Sequence, residues 1–297
     1  MRRHPIILGI GILLFIGVVF FGLIYALNMF RGERSSLNLP GGERVGVVLI
    51  EGVISDSSVI VDQIDEFAND DGIRAVVLRI DSPGGGVAAS QEICREVDEL
   101  RKKKKVVASM GSVAASGGYL IAAATDRIVA NPGTITGSIS AVMHFADIQE
   151  LMKKVGVRSS VIKSGKFKDI GSPARDMTAE ERQLIQGIID DIYDQFVRSI
   201  SENRKIPLDS IMKIADGRIF SGRQAYQLKL VDELGGLQDA VLIAGRLSGI
   251  AGKPEVIYAK KKKTGILRYV IENMTSIVAG ELRKTTIESR GAQYLFQ

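Results

Sequence analysis

"IRAVVLRIDSPGGGVAASQEICREVDELRKKKKVVASMGSVAASGGYLIAAATD", residues 73–126, decides the fold of this 297-residue chain. Residues 73–80 form an apolar, β-branched run with only two arginines, the pattern of a strand buried on both faces. Residues 86–103 put Ile93, Val97 and Leu100 on one side at helical spacing. Residues 105–110 are a second buried-strand run, and 116–126 a second helix. Working outward, "RVGVVLIEGVI" (44–54) is another strand, and 57–71 a helix with Val59, Ile60, Ile64 and Phe67 at helical spacing. "RIVANP" (127–132) is short and strand-like. Strands alternating with helices predict parallel strands joined by right-handed crossovers, hence an α/β fold.

Downstream the pattern changes. Residues 147–156 read as a helix closed by Gly156, and "VRSSVIKSG" (157–165) as a strand. A long amphipathic helix is predicted over 178–205, opening on a capping box of Thr178 and Glu181. "PLDSIMKIADG" and "SGRQAYQLKLVDELGG" supply further helices and turns. The tail from 264 holds one amphipathic helix pattern and a polar end.

An apolar content of 45% and a charged content of 25% suit a folded domain with a large core. The single cysteine, Cys94, excludes an internal disulfide and reads as a small buried apolar residue. The net charge of +5 is local: "RKKKK" (101–105) and "KKKK" (260–263) outweigh it, and the rest of the chain is net acidic. No nucleic-acid-binding face is expected. The first run reads as a solvated turn; anionic lipid headgroups are an alternative partner for the second. Residues 6–27 carry no charge, and 22 helical residues span about 33 Å, enough for a bilayer core. Without a convincing small-x-small cleavage site, a retained anchor is predicted. Arg2 and Arg3 precede it; Arg31 and Arg34, offset by Glu33, follow it, which leans toward an N-terminus inside and the bulk outside. The predicted organisation is a tip (1–5), a transmembrane anchor (6–28), a linker (29–44), an α/β domain (45–252) and a helical tail (253–297).

The sequence contains no HExxH, Cys/His cluster, P-loop or GxGxxG after a strand, so neither a metal nor a cofactor is expected. Two glycine-rich turns remain. In "RIDSPGGGVAAS" (79–90), Gly84, Gly85 and Gly86 let backbone approach a ligand, and amides at a helix start can hold developing negative charge; a plain tight turn is the alternative. In "GSVAASGGYLIA" (111–122), Ser116 falls at a helix N-terminus. It is either an N-cap or a nucleophile presented at the carboxyl ends of parallel strands. The amide of Gly117, with one from the first turn, would make a two-donor oxyanion hole. A serine nucleophile needs a base. His144 is one candidate. The others are Lys163, Lys166 and Lys168, since burial can bring a lysine from about 10.4 to about 7–8. Residue chemistry does not choose among them.

"DSPGGG", "MGSVAASGGYLIAAATDRIVANPGTITGSIS", "SGKFKDIGSPARDMTAEER" and "IADGRIFSGRQAYQLKLVDELGG" occur in this order. Together they resemble the bacterial signal peptide peptidase A family, short single-repeat form, over about 45–245. The resemblance implies a membrane-anchored serine endopeptidase of ClpP/crotonase-like fold with a Ser–Lys dyad. It implies Ser116 as nucleophile, Lys168 as general base, Ser138 as the residue orienting that lysine, and the amides of Gly85 and Gly117 as the oxyanion hole. It further implies remnant signal peptides as substrates, a homo-oligomer, and a catalytic domain on the extracytoplasmic side of the bacterial inner membrane. His144 then becomes a bystander. The alternatives are a ClpP-like Ser–His protease, a crotonase-like CoA-thioester enzyme and a non-catalytic membrane scaffold.

Overall fold

The computed structural model describes residues 43–260 and, before them, Gly22 alone. The predicted tip, the anchor apart from Gly22, nearly all of the linker and the tail helix from 264 lie outside the described residues. Among the described residues, no helix is long and apolar enough to cross a membrane.

The core is a mainly parallel sheet with helices on both faces. In chain order the elements are β1 (Arg44–Glu51), α1 (Ser58–Asn69), β2 (Ile73–Ser82), α2 (Val87–Lys103), β3 (Lys105–Ala115), α3 (Gly117–Ala123), β4 (Arg127–Ala130) and β5 (Ile135–Gly137). They continue with α4 (Gln149–Lys154), α5 (Ala179–Arg204), α6 (Leu208–Met212), β6 (Ile219–Ser221), α7 (Gly222–Gln227), β7 (Glu233–Leu234), α8 (Leu237–Leu247) and β8 (Glu255–Tyr258). The main strand order is β6-β5-β3-β2-β1-β8, with β4 beside β3 and β7 beside β4. Every pairing is parallel except β5 with β6.

Period-two alternation assigns each strand residue to one of two apolar layers. Val45, Val47, Ala75, Val77 and Val107 face α8 through Ala240, Val241 and Ala244. Their neighbours Val48, Val76, Leu78, Ile80 and Met110 belong to the larger core under α1, α2, α3 and α5. Both faces are therefore dry, which is why the strands read as near-continuous apolar runs. Each buried Val, Leu, Ile or Met among them contributes about 1.5–3 kcal/mol by leaving water.

Strand β3 forks the sheet. Its residues Val107–Met110 pair with β4, whereas Val113–Ala115 pair with β5. The fork gives β3 eleven residues, so it runs past the six predicted for it.

Three expectations change. Residues 157–165 form no strand: Val157, Val161 and Ile162 are exposed and lie beside no strand edge that could take their backbone groups. The strand expected over 44–54 stops at Glu51; beyond it only Ile54 forms a bridge, to Gly85. The sheet also continues past residue 252, because β8 pairs with the first half of β1. By contrast, the helix predicted from the Thr178 capping box is present: the Glu181 amide donates to Thr178 Oγ1 (3.2 Å), and Thr178 N donates to Glu181 Oε2 (2.9 Å).

Candidate active site

Ser116 joins β3 to α3 with φ 52° and ψ −121°, a sparsely populated conformation for a residue with a side chain. Its backbone N–H donates to the Gly137 carbonyl (2.9 Å), and its carbonyl accepts from Leu120 N (2.9 Å). Its side chain makes no capping hydrogen bond. The N-cap role, one of the two open at the sequence level, is therefore not what the hydroxyl does.

The two glycine-rich turns meet. Gly84 has φ +98°, and a Cβ there would stand 2.8 Å from the Ser116 Cβ and 2.7 Å from the Gly117 nitrogen. A Cβ on Gly117 would overlap the Ser90 hydroxyl. Hydrogen bonds then separate the three glycines. Gly84 N donates to Ser82 Oγ (3.1 Å), and Gly86 N donates to the Ile54 carbonyl (2.7 Å). The Gly84 carbonyl, in the same peptide as the Gly85 nitrogen, accepts from Ile54 N (2.9 Å). Among the described residues, the amides of Gly85 and Gly117 have no acceptor. These are two donors beside one hydroxyl, the equipment needed to hold a developing oxyanion.

Gly85, Ser116 and Gly117 open into a cleft of about 540 Å³ between α2, α3 and α5. Val87, Leu120, Ala141, Ile192 and Phe196 give it apolar walls, and Asp98, Glu99 and Lys102 lie farther along α2. Burial raises the Asp98 carboxyl, with Arg101 and Lys102 opposing the shift. Cys94 borders the cleft but is buried, and burial pushes its thiol far up, so it is inert.

Ser138 lies one residue beyond the carbonyl that holds Ser116 N. It has φ 51°, and its own N–H donates to Arg218 O (2.8 Å). The backbone thus brings Ser138 next to Ser116, but no hydrogen bond joins it to Lys168 among the described residues. Lys168 is exposed in the turns of 164–172, with its backbone N donating to Gly165 O (3.2 Å), and it does not line the cleft. The other two lysines are engaged. Lys163 pairs with Asp169 and donates to Lys166 O (2.8 Å); Lys166 pairs with Glu180 and lies 5.2 Å from the centre of the Phe167 ring. His144 is exposed and lines a second cleft, of about 490 Å³, with Asp147, Arg175 and Asp176. It does not face Ser116.

Several contributing residues escaped sequence reasoning. Arg175 bridges Asp169 (2.9 Å) and Glu181 (2.5 Å), tying the lysine-bearing segment to the start of α5. This pairing holds the Glu181 carboxyl down at about 2 and depresses Asp169 further. Ser82 and Ser90, both buried, fix the glycine turns. The only signal for Ser82 was its place in "DSPGGG"; nothing local marked Ser90.

The chain is similar to known proteases over most of its length. The profile described as Peptidase family S49 matches residues 98–251, and that of Clp protease matches 44–135. A protein of Methanocaldococcus jannaschii with a provisional protease name is 34% identical over 281 residues, 90% of this chain and 89% of its own. A provisionally named signal peptide peptidase SppA of Enterococcus faecium is 36% identical, over 60% of this chain and 52% of its own. Protease 4 of Haemophilus influenzae is 31% identical, over 84% of this chain but 40% of its own. A peptidase profile over half the chain and a relative matched over nearly its whole length lead to one conclusion: the chain is a peptidase and belongs to peptidase family S49.

Proposed function

We propose that the chain is a membrane-anchored serine endopeptidase in which Ser116 is the nucleophile and Lys168 the base, acting on apolar signal peptides after their release from preproteins. The observation that carries it is the Ser116 hydroxyl, uncommitted to capping, between the free amides of Gly85 and Gly117 at the mouth of an apolar cleft. The name of the Enterococcus faecium relative supports the substrate class.

In the proposed cycle the neutral amine of Lys168 takes the Ser116 proton as Oγ attacks the peptide carbonyl. The two amides hold the oxyanion. The ammonium then protonates the leaving amine, and water, deprotonated by the same amine, releases the acid and restores Ser116. A lysine acts this way only where burial disfavours its ammonium. The exposed Lys168 therefore has to be covered in the active assembly. Its segment is suited to that, since Val142, Phe145, Leu151, Val155, Val161 and Ile162 are all exposed on it. A homo-oligomer burying these residues, with residues 6–28 in the bacterial inner membrane and the catalytic domain outside, completes the proposal.

Cleavage of an apolar peptide by the purified chain tests it. Ser116→Ala and Lys168→Ala should each abolish turnover, and His144→Ala should leave it intact. Turnover that survives Lys168→Ala but not His144→Ala would sink the dyad. Recovery in the soluble fraction, undiminished by deleting residues 1–28, would remove the anchor.

A further inference from the structure

We propose that Asp81 is a positioning residue for Ser116: its carboxylate, with Thr136 opposite, locks the bulge that swings β3 from β4 to β5. This rests on Ser116 being the nucleophile. Ile80 pairs with Met110, but the next partners are Ser82 and Ala114. Strand β2 thus sets one residue, Asp81, against Gly111, Ser112 and Val113. Bulged residues lose ladder partners, and a buried amide without an acceptor is costly. The Asp81 carboxylate supplies the acceptor: Val113 N donates to its Oδ1 at 3.0 Å. Gly111 is the residue that makes room, since a Cβ there would lie 2.7 Å from the Asp81 Cγ.

Carbonyls in the bulge and just after it are held from the other side. Thr134 Oγ1 donates to Gly111 O (2.7 Å), and Thr136 Oγ1 donates to Ala114 O (2.6 Å), both buried. Arg79 Nη1 donates to Met110 O (3.0 Å) just before the bulge. Three residues past Val113 the chain enters the strained conformation of Ser116. Such a conformation persists only when its surroundings over-determine it. The other donor lies just beyond Asp81, in the turn that follows the same strand. Asp81 directly precedes Ser82, whose hydroxyl takes the Gly84 amide and leaves Gly85 free. Asp81 therefore stands between the turn that carries the Gly85 amide and the bulge that leads to Ser116 and the Gly117 amide.

The test uses the full chain, an apolar peptide substrate and a fluorophosphonate that labels the active serine. Asp81→Ala should lower kcat about 100-fold with KM within about twofold, and slow labelling in parallel, the cost of misplacing a reacting group by about 1 Å. Asp81→Asn, which keeps an oxygen acceptor for Val113, should restore most of both rates. Thr136→Val, of similar shape, should lower kcat with KM unchanged, and it decides the matter if Asp81→Ala fails to fold. Unchanged kcat in Asp81→Ala, equal losses in Asp81→Ala and Asp81→Asn, or an unaffected Thr136→Val would overturn the proposal. Ser116→Ala is run beside them. Activity remaining there overturns the nucleophile itself; a silent Ser116→Ala with a normal Asp81→Ala overturns only the positioning.

Discussion

Ser116 stands directly over Gly84: a Cβ on that glycine would lie 2.8 Å from the Ser116 Cβ. With φ +98°, Gly84 is also in a conformation that side chains rarely adopt. Gly84→Ala should therefore push the two turns apart and lower kcat at least about 100-fold. Steady-state kinetics and a melting curve on the same sample check it. Full activity in a folded Gly84→Ala protein would show that the turns need not touch.

The strain at Ser116 predicts a trade of stability against activity. Glycine adopts φ 52° freely, so Ser116→Gly should be inactive yet more stable than the parent, by about 1 kcal/mol or more. Denaturant unfolding measures the difference. A destabilised Ser116→Gly would mean that the conformation is relaxed in the folded chain.

The exposed apolar side chains on the lysine-bearing segment predict an assembly. Ile162 is fully exposed and Val142 largely so. Ile162→Asp and Val142→Asp should leave the melting of the sheet domain unchanged while dissociating the oligomer and abolishing turnover. Analytical ultracentrifugation of a detergent-solubilised chain reads the first effect and peptide cleavage the second. Monodisperse oligomer with normal turnover in both variants would refute it.

The Arg175 bridge predicts an acid limit. Arg175 holds the Glu181 carboxyl at about 2, below the ordinary value of about 4.3. A depressed carboxyl contributes stability that is present above its unfolded value and is lost as pH falls through the folded one. The melting-temperature difference between the parent and Glu181→Gln should thus be largest near neutrality and shrink between about pH 4 and 2. A difference that is flat across that range would show that the bridge contributes nothing.

Much of this was legible in the chain. The alternation of Val45 and Val47 with Val48 and Ile50 announces a strand buried on both faces, and the spacing of Ile93, Val97 and Leu100 announces its helix. Burial periodicity is local, so it survives in the sequence. "VRSSVIKSG" shows the opposite case: its β-branched residues satisfy the strand pattern, but a strand also needs a neighbour, and none lies beside it. The capping box at Thr178 was legible because both of its bonds close within four residues.

The sequence by itself determined a parallel α/β domain and two glycine-rich turns, the second carrying Ser116, because apolar periodicity and glycine placement act within a few residues. Only the tertiary structure decided which glycine amide stays free. That choice rests on Ile54 and Ser82, which consume the amides of Gly86 and Gly84. It also decided that Asp81 fills the bulge before Ser116, and that Lys168 lies outside the cleft of its own chain. Hydrogen-bond donors and acceptors are allotted across strands and turns far apart in sequence, and no local pattern records which partner reaches them first.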